Sequence, residues 1–251
     1  MTTTTEPSAT ERPDPSATVD EPEEHVGRLT RWFGPLTALR VVAMLVAVGF
    51  LGGAVGWTIS ERDRDPLSAT DVGFMRDMGY HHEQAIEMSL ILLGKADVDA
   101  DLKSYAQEFI IDQRYEQGIF NALLDRYGYA PTVGSTVMAW MGPALPRDSM
   151  EGLATAAQIK QLRAATGKTA ESLFVALMTE HHLGGLHMAD YEARKGKDTA
   201  VKNLALAMVK TQKGEVVDLN NYRIRHDLPI AKGFTDPLED QRLHPLSLDE
   251  G

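Results

Sequence analysis

His-His occurs twice in this chain, at His81-His82 and at His181-His182. A methionine stands three residues before the first histidine of each pair and another seven residues after it: Met78 and Met88 in the first copy, Met178 and Met188 in the second. Imidazole is a borderline donor and thioether a soft one. Together they suit a transition ion such as copper, with Met favouring Cu(I), whereas hard cations would demand carboxylates. The chain has no Cys, which excludes disulfides, thiolate sites, iron–sulfur clusters and thiol nucleophiles, so its 8 His and 11 Met are its only soft or borderline ligands. Copper is therefore the expected ion, with another transition metal as the alternative. Neighbouring residues on a helix point about 100° apart, so one histidine of each pair ligates while the other lines the site or serves a second ion.

The pairs belong to a longer repeat. Phe74 aligns with Phe174 and Met78 with Met178 at a shift of 100 residues, and at a shift of 99 Lys103 aligns with Lys202, Ala106 with Ala205, Gln113 with Gln212 and Glu116 with Glu215. Each half reads as a helical hairpin. Phe74, Met78, His81, Ala85 and Met88 fall at i, i+4, i+7, i+11 and i+14, one continuous helical seam, as do Phe174, Met178, His181, Gly185 and Met188. The partner helices carry the stripes Ala106, Ile110, Gln113, Phe120 and Ala205, Val209, Gln212, Val216. Two hairpins burying these stripes against each other make an all-α four-helix bundle. The roughly 40 residues between the hairpins permit a crossover, the ferritin-like topology.

A plainer account competes with the metal site. Gln113, Glu116, Gln212 and Glu215 could hydrogen-bond the buried histidines while the methionines fill the core. The duplication favours the metal, because the same ligand types recur at the same positions and a pseudo-twofold would bring them together; the four polar residues then support the site from behind. Asp77, at i−4 from His81, could orient that ring, with a solvated carboxylate as the simpler expectation. His187 reads as exposed beside Glu180, and His25, His226 and His244 as unremarkable tail residues. No Glu-x-x-His lies on the seam, against a di-iron centre. No phosphate loop or Ser/His/Asp arrangement appears, so no catalytic residue and no enzyme activity is expected.

The elements that position these residues can be bounded. Ser68-Ala-Thr-Asp71 and Thr155-Ala-Ala-Gln158 are capping signals, and Gly94, Gly128, Gly167 and Gly196 mark helix ends. They delimit a folded domain over 67–225, followed by an extended tail over 226–251. Residues 1–27 hold seven acidic side chains against one Arg and almost nothing apolar, and read as a disordered acidic tail. The net charge of −11 excludes a nucleic-acid binder, which needs a basic face. Residues 41–60 carry no charge, enough at about 1.5 Å per residue for the roughly 30 Å hydrocarbon core. The run is too long and too far from the N-terminus for a cleavable signal, so a transmembrane anchor helix over 38–60 is expected. Arg28, Arg31 and Arg40 before it face Arg62, Arg64 and Arg76 after it, a near tie under the positive-inside rule. The N-terminus is placed in the cytoplasm and the bundle outside. Gly49 with Gly53 and Gly52 with Gly56 form two GxxxG patterns, a means of docking to a second copy or to another membrane protein.

These residues resemble the bacterial "domain of unknown function 305" family. The resemblance spans about 68–225 and rests on the first HHxxAxxM helix, the A-x6-Q-x2-E helix, Met150-Glu-Gly-Leu in the linker and the second FxxxMxxHHxxGxxM helix. It implies a ferritin-like helical fold, an exported or membrane-anchored location and, in some members, copper binding and tolerance through His and Met. The linker keeps Met138, Met141 and Met150 but no histidine. In this the chain departs from the clearest copper-handling relatives, with their Met- and His-rich tails and linkers, which argues against high-capacity sequestration and leaves room for one intramolecular site.

Overall fold

The computed structural model describes residues 38–62 and 66–248, so the expected acidic tail over 1–27 lies outside the described residues. The chain divides into two compact units, Met1–Arg64 and Asp65–Gly251. The first contains helix α1 (Ala38–Arg62). Among the described residues no helix is long and apolar enough to cross a membrane; the side chains of residues 39, 40, 55 and 57–62 fall outside that set.

In the second unit, helices start where side chains can satisfy their free N–H groups. Helix α2 (Ala69–Leu93) opens on a complete capping box: Asp71 N–H donates to Ser68 Oγ at 3.1 Å, and Ser68 N–H to Asp71 Oδ2 at 2.6 Å. Asp99 caps α3 (Ala100–Arg126), and Asp198 caps α6 (Thr199–Arg225). A second capping box, Thr155 with Gln158, opens the short α4 (Ala156–Ala164). Gly167 takes φ +51° and begins α5 (Gly167–Lys195) instead of ending α4. The left-handed turn lets the chain pass from one helix into the next with two residues between them.

Helices α2 and α3 form one hairpin and α5 and α6 the other, and the two meet chiefly through α2 and α5. All four helices feed two apolar clusters. One gathers Met88, Leu92, Phe109, Phe174, Met178 and Tyr222; the other gathers Phe74, Met78, Phe120, Met188 and Met208. Met78 thus shares a cluster with Met188, and Met88 with Met178, so α2 and α5 run antiparallel. Because α3 is also antiparallel to α2, α3 and α5 run parallel, and the linker must travel the length of the bundle. It leaves by a two-residue antiparallel ladder, β1 (Thr136–Val137) with β2 (Leu145–Pro146), buries Val137 and Met138 in the Phe74 cluster, and reaches the Phe174 cluster with Ile159 and Leu162 of α4. This is the expected all-α bundle.

Two expectations need correction. On α3 the buried side chain is Phe109, with Ile110 only half-buried, because the core face follows 102, 106, 109, 113, 117, 120 and 124. The C-terminal segment is not simply extended. It forms three 3-10 turns, Pro237–Glu239, Gln241–Leu243 and Leu246–Leu248. Arg242 reaches Glu151 and Glu180, Ser247 N–H donates to Asp190, and Leu243 is buried with Leu183 and Val216.

Candidate metal centre

Between the two apolar clusters lies a polar layer. His81, His82, His181 and His182 are all at most 1% exposed, as their inward seam positions on α2 and α5 require. The rings of His81 and His181 stack across the helix pair at 3.7 Å between centroids and 29° between planes. His82 and His182 sit 6.5 and 6.0 Å from their own neighbours, and each meets a phenyl ring of α3, His82 at Phe120 and His182 at Phe109.

Burial at this depth demands partners. His81 Nε2 lies 3.2 Å from the carbonyl of Glu151, and His181 Nε2 lies 2.8 Å from the carbonyl of His81. A carbonyl only accepts, so each Nε2 carries the proton and each Nδ1 a lone pair. His82 Nε2 is 2.7 Å from Glu116 Oε2. His182 Nδ1–H donates to the Met178 carbonyl at 2.8 Å, and its Nε2 lies 2.9 Å from Glu215 Oε2, off hydrogen-bond geometry. His81 Nδ1, His82 Nδ1 and His182 Nε2 are buried without a hydrogen-bond partner.

Charge is distributed unevenly. Burial, then the neighbouring histidines, holds His81 and His181 well below the ordinary imidazole range, so both are neutral. Burial and His182 likewise lower His82 to about 3. Burial, then the charge of Glu215, pushes Glu116 up to about 8; His82–Glu116 is therefore a neutral pair at pH 7. His182 goes the other way: burial would lower it, but the Glu215 carboxylate outweighs burial and raises it. The two symmetric pairs therefore differ: beside His182 the carboxylate outweighs burial, whereas at His82 burial wins.

The four thioethers stand apart from this layer. Met78 and Met188 belong to the cluster on one side and Met88 and Met178 to that on the other, all fully buried. Glu116 and Glu215 face His82 and His182. Gln113 and Gln212 are buried with their amide oxygens unpartnered, and Gln212 occupies the space over Gly185, where a Cβ would come within 2.4 Å of Oε1. Asp77 neither orients His81 nor faces solvent: its Oδ2 accepts Met138 N–H at 2.7 Å and Trp140 Nε1–H at 2.8 Å, fixing the linker. His187 is exposed, but it pairs with Glu151 at 2.7 Å, not with Glu180.

Glu151 is the residue the sequence reading missed. Its carbonyl reaches His81 because the linker lies directly on α5: a Cβ at Gly184 would fall 2.6 Å from that carbonyl oxygen, and Gly152 (φ +81°) sits against Gly184 Cα and the His181 carbonyl. The glycines at both positions were the available signal. No three His, Asp or Glu donor atoms of the layer lie within 4.8 Å of one another; among the described residues only Asp99, Asp101 and His226 meet that condition. The layer offers dispersed lone pairs, not a closed cage.

The family model described as domain of unknown function (DUF305) matches residues 71–223. The chain belongs to the DUF305 family. Among solved structures, a DUF305 protein from Streptomyces coelicolor is 33% identical with a TM-score of 0.59, the match covering 64% of this chain and 95% of that one. A DUF305 fragment from Deinococcus radiodurans is 26% identical with a TM-score of 0.56, covering 64% and 99%. CopM in its Cu(I)-bound form shares the fold at 21% identity and a TM-score of 0.50, covering 63% and 99%. No curated protein matches the chain. The family match over 71–223 spans the bundle that carries the histidine layer.

Proposed function

We propose that this DUF305 chain is a membrane-anchored, extracytoplasmic metal-handling protein that binds copper through the histidine layer. The observation that carries the reading is the set of buried imidazoles with unpartnered ring nitrogens, foremost His81 Nδ1, whose N–H is committed at Nε2. A neutral imidazole whose N–H is fixed by a carbonyl is a prepared ligand. Burial that suppresses protonation leaves the lone pair available at neutral pH. The dispersed donors fit Cu(I), which accepts few ligands, better than an ion that needs four. Met78, Met88, Met178 and Met188, just above and below the layer, would supply thioether after small side-chain rotations. His182, already tied to Met178 and Glu215, would line the site. That CopM, of the same fold, is known in Cu(I)- and Cu(II)-bound forms supports the ion.

Such a site needs no thiol and suits an oxidising compartment. Helix α1 supplies the anchor in this reading, with the N-terminus cytoplasmic. Cu(I) titration of the purified chain tests the metal, with His81→Ala/His181→Ala beside wild type and circular dichroism checking the fold. Equal, sub-stoichiometric copper in both would remove the proposal.

A second reading makes the chain a non-catalytic accessory subunit whose span docks to a second copy or to a membrane protein. Gly49 and Gly53 favour it, since a Cβ at either would meet nothing within 4 Å and a helix backbone could approach closely. Loss of a defined detergent-stable complex on Gly49→Leu plus Gly53→Leu would support it; an unchanged complex would leave α1 as an anchor alone.

A further inference from the structure

At the end of the bundle away from the linker's start, three donors converge from segments far apart in sequence. Asp99 caps α3, Asp101 stands in its first turn, and His226 ends α6 in the other hairpin; one ligand atom from each lies within 4.8 Å of the others. Local capping accounts for only part of this. Asp99 Oδ1 accepts the Asp101 N–H at 2.8 Å. The Asp101 carboxylate and the His226 ring nitrogens hold no hydrogen bond or ion pair among the described residues. The imidazole is nevertheless held in place: it stacks on Tyr222 at 4.1 Å and 22°, and the His226 carbonyl accepts from Lys168 Nζ at 3.0 Å.

A second observation points the same way. Tyr222 is fully buried and its hydroxyl has no hydrogen-bond partner. Glu171 is itself buried and accepts the Asp99 N–H at 2.8 Å. A fully buried phenol packed on the His226 ring thus stands beside the donor set with its hydroxyl uncommitted.

We propose that Asp99, Asp101 and His226 bind a divalent transition cation, with zinc as its best match, and thereby tie the start of α3 to the end of α6. One nitrogen and two carboxylate oxygens suit a borderline ion. Calcium and magnesium would want oxygen throughout, and Cu(I) would want sulfur. The end of α6 presents the negative pole of its helix dipole, which favours a cation, and the two carboxylates offset the opposite pole at the start of α3. The site is chemically separate from the histidine layer and does not depend on it.

Zinc titration of the full chain after chelator treatment, read by calorimetry and by the rise in melting temperature, tests the proposal. The expected result is one zinc per chain, with affinity falling at least tenfold in both Asp101→Asn and His226→Gln and holding within twofold in His244→Gln, a change at an exposed tail residue. Asp101 is exposed, so its amide variant is expected to fold. Zinc-edge anomalous diffraction from the wild-type chain places the ion independently of any variant. Zinc affinity unchanged in Asp101→Asn and His226→Gln, or an anomalous peak at the bundle histidines instead, would overturn the proposal.

Discussion

His81 and Asp77 lie one helical turn apart on α2 and do unrelated work. His81 donates Nε2–H to the Glu151 carbonyl and keeps Nδ1 as a lone pair, so under the proposed function a cation would meet a nitrogen that has no proton to lose. Asp77 is buried and gives one oxygen to both Met138 N–H and Trp140 Nε1–H. Asp77→Ala leaves two donors without an acceptor and should destabilise the fold by about 2 kcal/mol. Thermal unfolding checks this, and a shift in Trp140 emission should accompany it. The pattern of types and spacing showed which residues are doubled and which face they share. It did not show that Asp77 braces the linker or that Glu151 closes over His81, because those contacts join residues 61 and 70 positions apart and leave no periodic trace.

At the scale of elements, the helices were the most legible part. Ser68 with Asp71, and Thr155 with Gln158, form the capping boxes their spacing implies, since caps depend on local backbone geometry. The choice of Phe109 over Ile110 was not legible, because both positions lie near the core edge and only packing against His182 separates them. The seating of the linker on α5 rests on glycine. A Cβ at Gly184 would fall 2.6–2.7 Å from backbone atoms of Glu151 and Gly152, and backbone cannot swing aside as a side chain can. Gly184→Ala should therefore cost about 2 kcal/mol or more through a forced shift of the linker. Gly214, in the interior of α6 with nothing within 4 Å of an added Cβ, provides the contrast: Gly214→Ala should stabilise by about 0.5–1 kcal/mol through helix propensity. Chemical denaturation of the two variants side by side reads both signs.

For the whole molecule, the buried carboxyls shape stability against pH. Glu192 is fully buried near Asp71, and burial, then Asp71, pushes its pKa up from 4.5 to about 9. Burial would raise Asp71 too, but hydrogen bonds from Ser68, Glu192 and Asp198 outweigh it and lower it, so the pair shares one proton on Glu192. Between about 4.5 and 9 the folded chain holds a proton that the unfolded chain has released, and stability falls as pH rises through that window, by up to about 1.4 kcal/mol per pH unit for one such group. Glu116, raised to about 8, acts in the same direction. Glu192→Gln keeps the neutral shape and removes this dependence, so the variant should gain stability over wild type as pH increases from 5 to 8. A constant difference across that range would contradict the assignment.

The functional reading rests on the histidine layer holding a metal and not merely packing two hairpins. Copper-edge anomalous diffraction from crystals of the chain loaded with Cu(I) tests that most directly. The account predicts a peak between the two apolar clusters, within bonding distance of Nδ1 of His81 or His82 and of at least one thioether sulfur. Fully loaded crystals with no peak in the bundle, or with copper only on surface residues, would contradict it.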